Sequence, residues 1–214
     1  MSARESQLTG RLRLRHLFEV TEAAGERMDE MRPRFVRLAD KTAAPRIVSA
    51  WNLFQTPAEL AARVVALLPG KGRLLEPSAG LGRLFKAFRD VDADSPVVLV
   101  EVAAECAGEL YRATEGDANA TLVQGDFFEQ SPERLGTFER IVMNPPFERG
   151  ADIRHIFRAR EFLAPGGTLV AICAGGPKQR AKLQPIAEQW IDLPAGSFRS
   201  EGTNVNAAIV VIKG

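Results

Sequence analysis

The chain has 214 residues, 45% of them hydrophobic and 26% charged, which is enough for one α/β domain and a modest extension but not for two full domains. No apolar run reaches the roughly 18 residues of a membrane span, and the Arg-rich N-terminus has no signal-peptide core behind it, so a soluble, cytoplasmic protein is expected. Cys106 and Cys173 lie in apolar segments without a CxxC partner, and His16 and His155 are isolated; buried thiols and no metal site are expected.

Net charge is +1, distributed as +3 over residues 1–50, −6 over 51–139 and +4 over 140–214. Basic ends suit a phosphate backbone, although ordinary surface scatter gives the same numbers. Taken in chain order, Leu17, Val20, Ala24, Met28 and Met31 recur at helical spacing up to Pro33, so residues 1–50 read as a helical N-terminal extension that packs on the core or on a partner. From residue 72, short apolar runs alternate with helical patterns. Strands are predicted near Arg73–Glu76, Val97–Val102, Thr121–Gln124, Arg140–Met143, Thr168–Ala174, Trp190–Leu193 and Ala207–Ile212. Leu84, Phe85 and Phe88 stripe one helix; Ile153, Ile156, Phe157, Arg160 and Leu163 stripe another, stopped by Pro165-Gly166-Gly167. The pattern is a seven-stranded, mostly parallel Rossmann-like sheet with helices on both faces, over residues 51–214.

Leu74-Leu75-Glu76-Pro77-Ser78-Ala79-Gly80-Leu81-Gly82 passes from a strand through a Gly-rich turn into a helix. The full G-x-G-x-x-G is missing and no Gly-Lys-Ser/Thr follows, which argues against NAD and ATP. Glu76, ending the first strand, suits a ligand ammonium. Glu101, with Val102 after it, ends the next strand about twenty residues beyond the glycines, where such folds grip ribose hydroxyls. Asp126, followed by Phe127 and Phe128, ends the third. Each acid alone reads as a cap or a solvated loop residue; three at successive strand ends read as a ligand edge. On these residues the chain resembles class I S-adenosylmethionine-dependent methyltransferases. The resemblance implies that Phe54-Gln55-Thr56-Pro57 lines the methionine end of the cofactor. It further implies that Glu76, Pro77, Ser78 and Gly80 form the Gly-rich motif, that Glu101 meets the ribose, that Val102 borders the cofactor, and that Asp126 and Phe127 meet the adenine.

Asn144-Pro145-Pro146-Phe147 follows the strand Arg140–Met143. Two prolines fix the backbone and remove two N–H donors, leaving carbonyls and the Asn144 amide oxygen as acceptors for an amino group. An exocyclic amine is a poor nucleophile, and holding its hydrogens favours a pyramidal nitrogen. Phe147 offers a face for a base swung out of a duplex. This run resembles the adenine-N6 methyltransferase family, which implies DNA adenine-N6 methylation with Asn144, Pro145, Pro146 and Phe147 as the catalytic motif and Asn144 also bordering the cofactor. Phe198, ahead of the last strand, either closes the base pocket or is a core residue. The segment Gly175–Lys182 either meets phosphate or is a solvated helix start.

The motif order resembles enzymes that append a target-recognition domain after the last strand, whereas here the sequence stops at Gly214. Target reading is therefore expected from residues 1–50, from loops such as Glu148–Asp152, from a partner or oligomer, or to be slight. Relaxed specificity would suit a bacterial or phage enzyme of the restriction or anti-restriction kind, by analogy alone. Alternatives are RNA adenine-N6 methylation, protein glutamine methylation, and a catalytically silent cofactor-binding module.

Overall fold

The computed structural model of the chain describes residues 34–38, 46–50 and 55–214. Strands β1 (Arg34–Leu38) and β2 (Arg46–Ala50) pair antiparallel, Arg34 opposite Ala50 and Leu38 opposite Arg46. This corrects part of the helical extension: the pairs Phe35-Val36 and Ile47-Val48 carry β-branched and aromatic propensity that a helical reading of residues 1–50 passes over. The helix expected at Leu17–Met31 lies outside the described residues, as do Phe54 and any test of His16.

The remaining elements are α1 (Ala58–Val65), β3 (Leu74–Glu76), α2 (Arg83–Arg89), β4 (Val97–Glu101), α3 (Ala104–Ala113), β5 (Ala120–Gln124), α4 (Pro132–Leu135), β6 (Phe138–Met143), α5 (Ala151–Arg160), β7 (Leu163–Ala174), α6 (Pro177–Leu183), β8 (Gln189–Asp192) and β9 (Ala207–Lys213). Seven strands form one sheet in the order β5-β4-β3-β6-β7-β9-β8. The strands from β5 to β7 run parallel, and β9 is antiparallel to both β7 and β8. Each predicted core strand is present, shifted by at most a few residues.

Parallel strands covered on both faces need no polar alternation, and β4 and most of β9 are buried along their length. Leu84, Phe85 and Phe88 of α2 pack on one face with Val64, Leu74, Leu99 and Ile209; Ile156, Phe162, Met143 and Leu169 fill the other. A fully buried Phe such as Phe88 contributes on the order of 2–3 kcal/mol through area removed from water.

One local reading is corrected. The helix α5 ends at Arg160, and Leu163 with Pro165-Gly166-Gly167 belongs to β7, where the pairing with β6 shifts register between Phe138 and Arg140. Gly166 takes φ 73°, and a Cβ on Gly167 would lie 2.9 Å from the Ala164 carbonyl oxygen. The prolyl-glycyl run is thus an irregularity inside a strand, and Phe157 and Arg160 face outward because the inner stripe is Ile153, Ile156 and Ala159.

The chain leaves β3 for β4 on one side and later returns to β6 on the other, so the sheet order reverses at β3. The cleft outside the C-terminal ends of such strands is where open α/β sheets bind ligands.

Candidate active site

Two prerequisites converge at the β3 end: a loop that brings backbone close, and acids that stay buried. Gly80 and Gly82 adopt φ 55° and 76°, and a Cβ on Gly82 would lie 2.8 Å from Leu110 Cδ2, so the loop presses onto α3. Glu101 ties this loop to the next strand. Its Oε2 accepts from the Gly80 N–H at 2.7 Å and its Oε1 from the Ala103 N–H at 2.8 Å. Burial raises the Glu101 pKa, and the Ala103, Gly80 and Val102 N–H groups partly offset that. Each carboxylate oxygen keeps a lone pair for a further donor. Val102 beside it is 67% exposed, an apolar surface on the cleft rim.

Glu76 is only 1% exposed, and its Oε2 is buried without a hydrogen-bond partner. Burial pushes its pKa well up, the Phe85 backbone hydrogen bond opposes, and the Glu101 charge adds to the rise. Gln55 shows the complementary feature. It is buried, its Oε1 accepts from Arg83 Nε, and its Nε2 has no partner. A buried acceptor and a buried donor thus remain unsatisfied, tied to the start of α2 through Phe85 and Arg83.

The neighbouring Thr56 reaches the other motif: Asn144 Nδ2 donates to Thr56 Oγ1 at 3.1 Å, across 88 residues. Gln55 and Thr56 therefore clasp the Gly-rich loop on one side and the end of β6 on the other, while Pro57 precedes α1. Sequence reading placed Thr56 against the cofactor but missed this contact with Asn144, and missed the Gln55–Arg83 contact altogether; no local pattern announces contacts across such separations. Pro145 is buried, Pro146 and Phe147 are half-buried, and Phe147 meets Phe198 edge-on with centroids 6.3 Å apart. Phe198 itself is fully buried. It backs Phe147 from within the core cluster that also holds Ile209 and Leu193.

At the third strand end, Asp126 is exposed and its Oδ1 accepts from the Phe128 N–H at 2.9 Å. Phe127 departs from expectation: its ring is buried against Phe162 on the opposite face of the sheet, centroids 5.1 Å apart. The exposed ring is Phe128, edge-on to His155 at 4.7 Å. The reason is the short 3-10 turn Phe127–Glu129, which rotates successive side chains to opposite sides. Burial lowers the His155 pKa, and its Nδ1 lies 2.9 Å from the Ala151 carbonyl oxygen. Among the described residues no group of three or more His, Cys, Asp and Glu is arranged to hold a metal. Cys106 and Cys173 are buried free thiols, their pKa values raised by burial, that of Cys106 to about 12.

This edge, with a Gly-rich loop, buried acids at strand ends and a late Asn-Pro-Pro-Phe turn, is matched by a family model for the methyltransferase small domain over residues 58–189. The chain belongs to that family. No curated protein gives a significant sequence match to this methyltransferase. Among solved structures it is similar to the 23S rRNA methyltransferase ErmE, at 18% identity over 75% of this chain and 69% of that one, TM-score 0.58. It is also similar to Pyrococcus horikoshii TYW2 in complex with MeSAdo, at 10% identity over 84% and 70%, TM-score 0.57. A third is the Geobacter metallireducens precorrin-6y C5,15-methyltransferase, at 13% identity over 74% and 89%, TM-score 0.56. Likenesses at such identities show the class I methyltransferase fold and leave the acceptor open. The cofactor of this methyltransferase is S-adenosylmethionine. The residues present fit it: the unpartnered Glu76 oxygen suits an ammonium and the unpartnered Gln55 amide nitrogen suits a carboxylate, the two poles of its amino-acid end.

Proposed function

We propose that this methyltransferase acts on the exocyclic N6 of adenine in nucleic acid, with DNA as the leading substrate. The observation that carries the reading is the Asn144-Pro145-Pro146-Phe147 turn at the C-terminal end of β6, its Asn144 amide fixed by Thr56 beside the Gly-rich loop. S-adenosylmethionine, when bound, supplies an electrophilic methyl group on a sulfonium. Glu76 and Gln55 hold its amino-acid end, Gly80 admits it close to the backbone, Glu101 receives the ribose hydroxyls, and Val102 and Asp126 border its base.

At the acceptor, the Asn144 side chain and the Pro145 carbonyl accept the two amine hydrogens, which draws the nitrogen lone pair out of conjugation and aims it. Pro145 and Pro146 contribute no N–H that would compete. With Nδ2 engaged by Thr56, the Asn144 amide presents its oxygen end to the amine. Phe147, braced edge-on by Phe198, stacks on the extruded base. Positioning and preorganised acceptors carry the rate; no general base is required, because the proton leaves a cationic product nitrogen to water.

A second substrate, RNA, is favoured by the similarity to several solved structures described as RNA methyltransferases, ErmE among them; RNA also presents splayed adenines without a flipping cost. Purified protein incubated with the cofactor and either unmethylated duplex DNA or structured RNA, followed by nucleoside mass spectrometry, separates the substrates. N6-methyladenine in one of them is the expected result. Its absence from both at saturation, or label in glutamine of a protein substrate, contradicts the reading.

A further inference from the structure

Beside the Asn-Pro-Pro-Phe turn, three cations from one turn and two helices meet on one rim. Arg149 and Arg154 belong to the turn after β6 and to α5; Lys178 belongs to α6, at the end of β7. Arg154 Nη1 donates to the Arg149 carbonyl oxygen at 3.1 Å, and a Cβ on Gly150 would lie 2.9 Å from Lys178 Nζ. The Lys178 ammonium therefore lies close to the backbone of residue 150, next to Arg149, where the chain takes φ 72°. Arg149 itself sits at φ 51°, an uncommon conformation for a side-chain-bearing residue.

Like charges repel, so something must hold this arrangement. Asp152 does so from below. It is fully buried, and its Oδ1 accepts from the Ile153 N–H and its Oδ2 from the Ala174 N–H, at 2.9 and 3.0 Å. Gln179 Nε2 donates to both oxygens at 3.2 and 3.1 Å. One carboxylate thus fastens the start of α5, the end of β7 and α6 to each other, and fixes the spacing of the cations above. None of the three cations forms a salt bridge among the described residues, whereas the nearby Arg180 is engaged by Asp192. Glu148 and the buried Asp152 are the acids adjoining them, and three cations against two carboxylates leave the rim net positive.

We infer that Arg149, Arg154 and Lys178 form a phosphodiester-binding rim that grips the substrate strand next to the adenine presented to Asn144. The inference rests on the nucleic-acid reading above and assigns the face that holds the backbone. Phosphate contacts position a strand without reading its sequence, so this rim supplies register and not specificity.

The test uses the full-length chain with Arg149, Arg154 and Lys178 all changed to Ala, beside a charge-retaining variant carrying Arg149→Lys, Arg154→Lys and Lys178→Arg. Fluorescence anisotropy reports binding of an adenine-containing DNA duplex and of a stem-loop RNA between 50 and 200 mM salt. Removing three phosphate contacts should weaken binding roughly 10- to 100-fold and reduce the slope of log Kd against log salt by about two to three. The charge-retaining variant should keep the slope. Cofactor affinity should stay within a few-fold for both variants. Which nucleic acid responds identifies the strand that the rim serves. Unchanged affinity and slope for both nucleic acids, or a parallel loss of cofactor affinity, overturns the rim. Salt-dependent binding that the triple variant loses, without any N6-methyladenine, would instead contradict the adenine reading and leave the rim standing.

Discussion

The two ends of the sheet treat buried charge in opposite ways. At the N-terminal edge Arg140 Nη1 meets Asp92 Oδ2 at 2.9 Å, Arg140 also donates to the carbonyls of Gly70 and Gly72, and its guanidinium lies over the Phe88 ring. Ser95 donates to both Asp92 oxygens. Burial alone would raise the Asp92 pKa, but the Ser95 and Arg140 hydrogen bonds bring it down to about 2. At the C-terminal edge Glu76 is as deeply buried, carries an unpartnered oxygen, and has its pKa pushed up. At the structural edge the buried charges meet each other, with Arg140 Nε alone left over. The edge that receives a ligand leaves some for the ligand, and the apo fold is less stable for it.

The contrast is broken most severely at the structural edge. Arg140→Ala strands Asp92 in the interior and should cost about 3–5 kcal/mol, measured by urea unfolding, with no specific effect on cofactor affinity per folded molecule. Next in size, Asn144→Ala should lower turnover by roughly 100- to 1000-fold while cofactor affinity stays within a few-fold, read by single-turnover methylation and calorimetry. A large affinity loss would mean that Asn144 serves the cofactor and not the acceptor. Glu76→Gln should move two quantities in opposite directions: cofactor binding weakens about 10-fold or more, whereas the apo protein melts a few degrees higher because the fold no longer carries a carboxyl whose ionisation it disfavours.

The smallest effect lies in the acid limb. Asp92 has a depressed folded-state pKa, so its contribution is complete above the usual carboxylate range and is lost as pH falls from about 4 toward about 2. Glu76 has the opposite sign, its protonated form being favoured by the fold, so its contribution is present at low pH and declines as pH rises through its elevated pKa. Asp92→Asn should therefore flatten the loss of stability between pH 4 and 2, and Glu76→Gln should flatten the decline on the other side.

How much of this was legible follows the range of the interactions. The strands β3 to β9 were, because each is a short apolar run bounded by turn residues, and Glu76, Glu101 and Asp126 could be placed at strand ends from that alone. Side-chain direction was not. Phe127 and Phe128 are adjacent and equally apolar, and only the 3-10 turn decides which one enters the core. Phe198 reads in the sequence as a base-pocket aromatic or a core residue, and only the fold shows that it is buried. The Thr56–Asn144 and Gln55–Arg83 contacts join segments 88 and 28 residues apart, and Asp152 looked like a loop acid until three elements closed around it. Pro165-Gly166-Gly167 misled because a turn sequence here makes an irregularity within a strand.

We propose that the unpartnered Glu76 oxygen at the C-terminal edge serves the cofactor's ammonium. Calorimetric titration of the full-length protein with S-adenosylhomocysteine, which keeps that ammonium, in buffers of different ionisation enthalpy tests it most directly. Burial disfavours the ionised Glu76 carboxyl and a neighbouring ammonium favours it, so binding should release protons over the pH range in which the apo carboxyl is protonated, and the release should vanish in Glu76→Gln. Binding with no proton release in the wild type, or the same release in Glu76→Gln, would contradict the account.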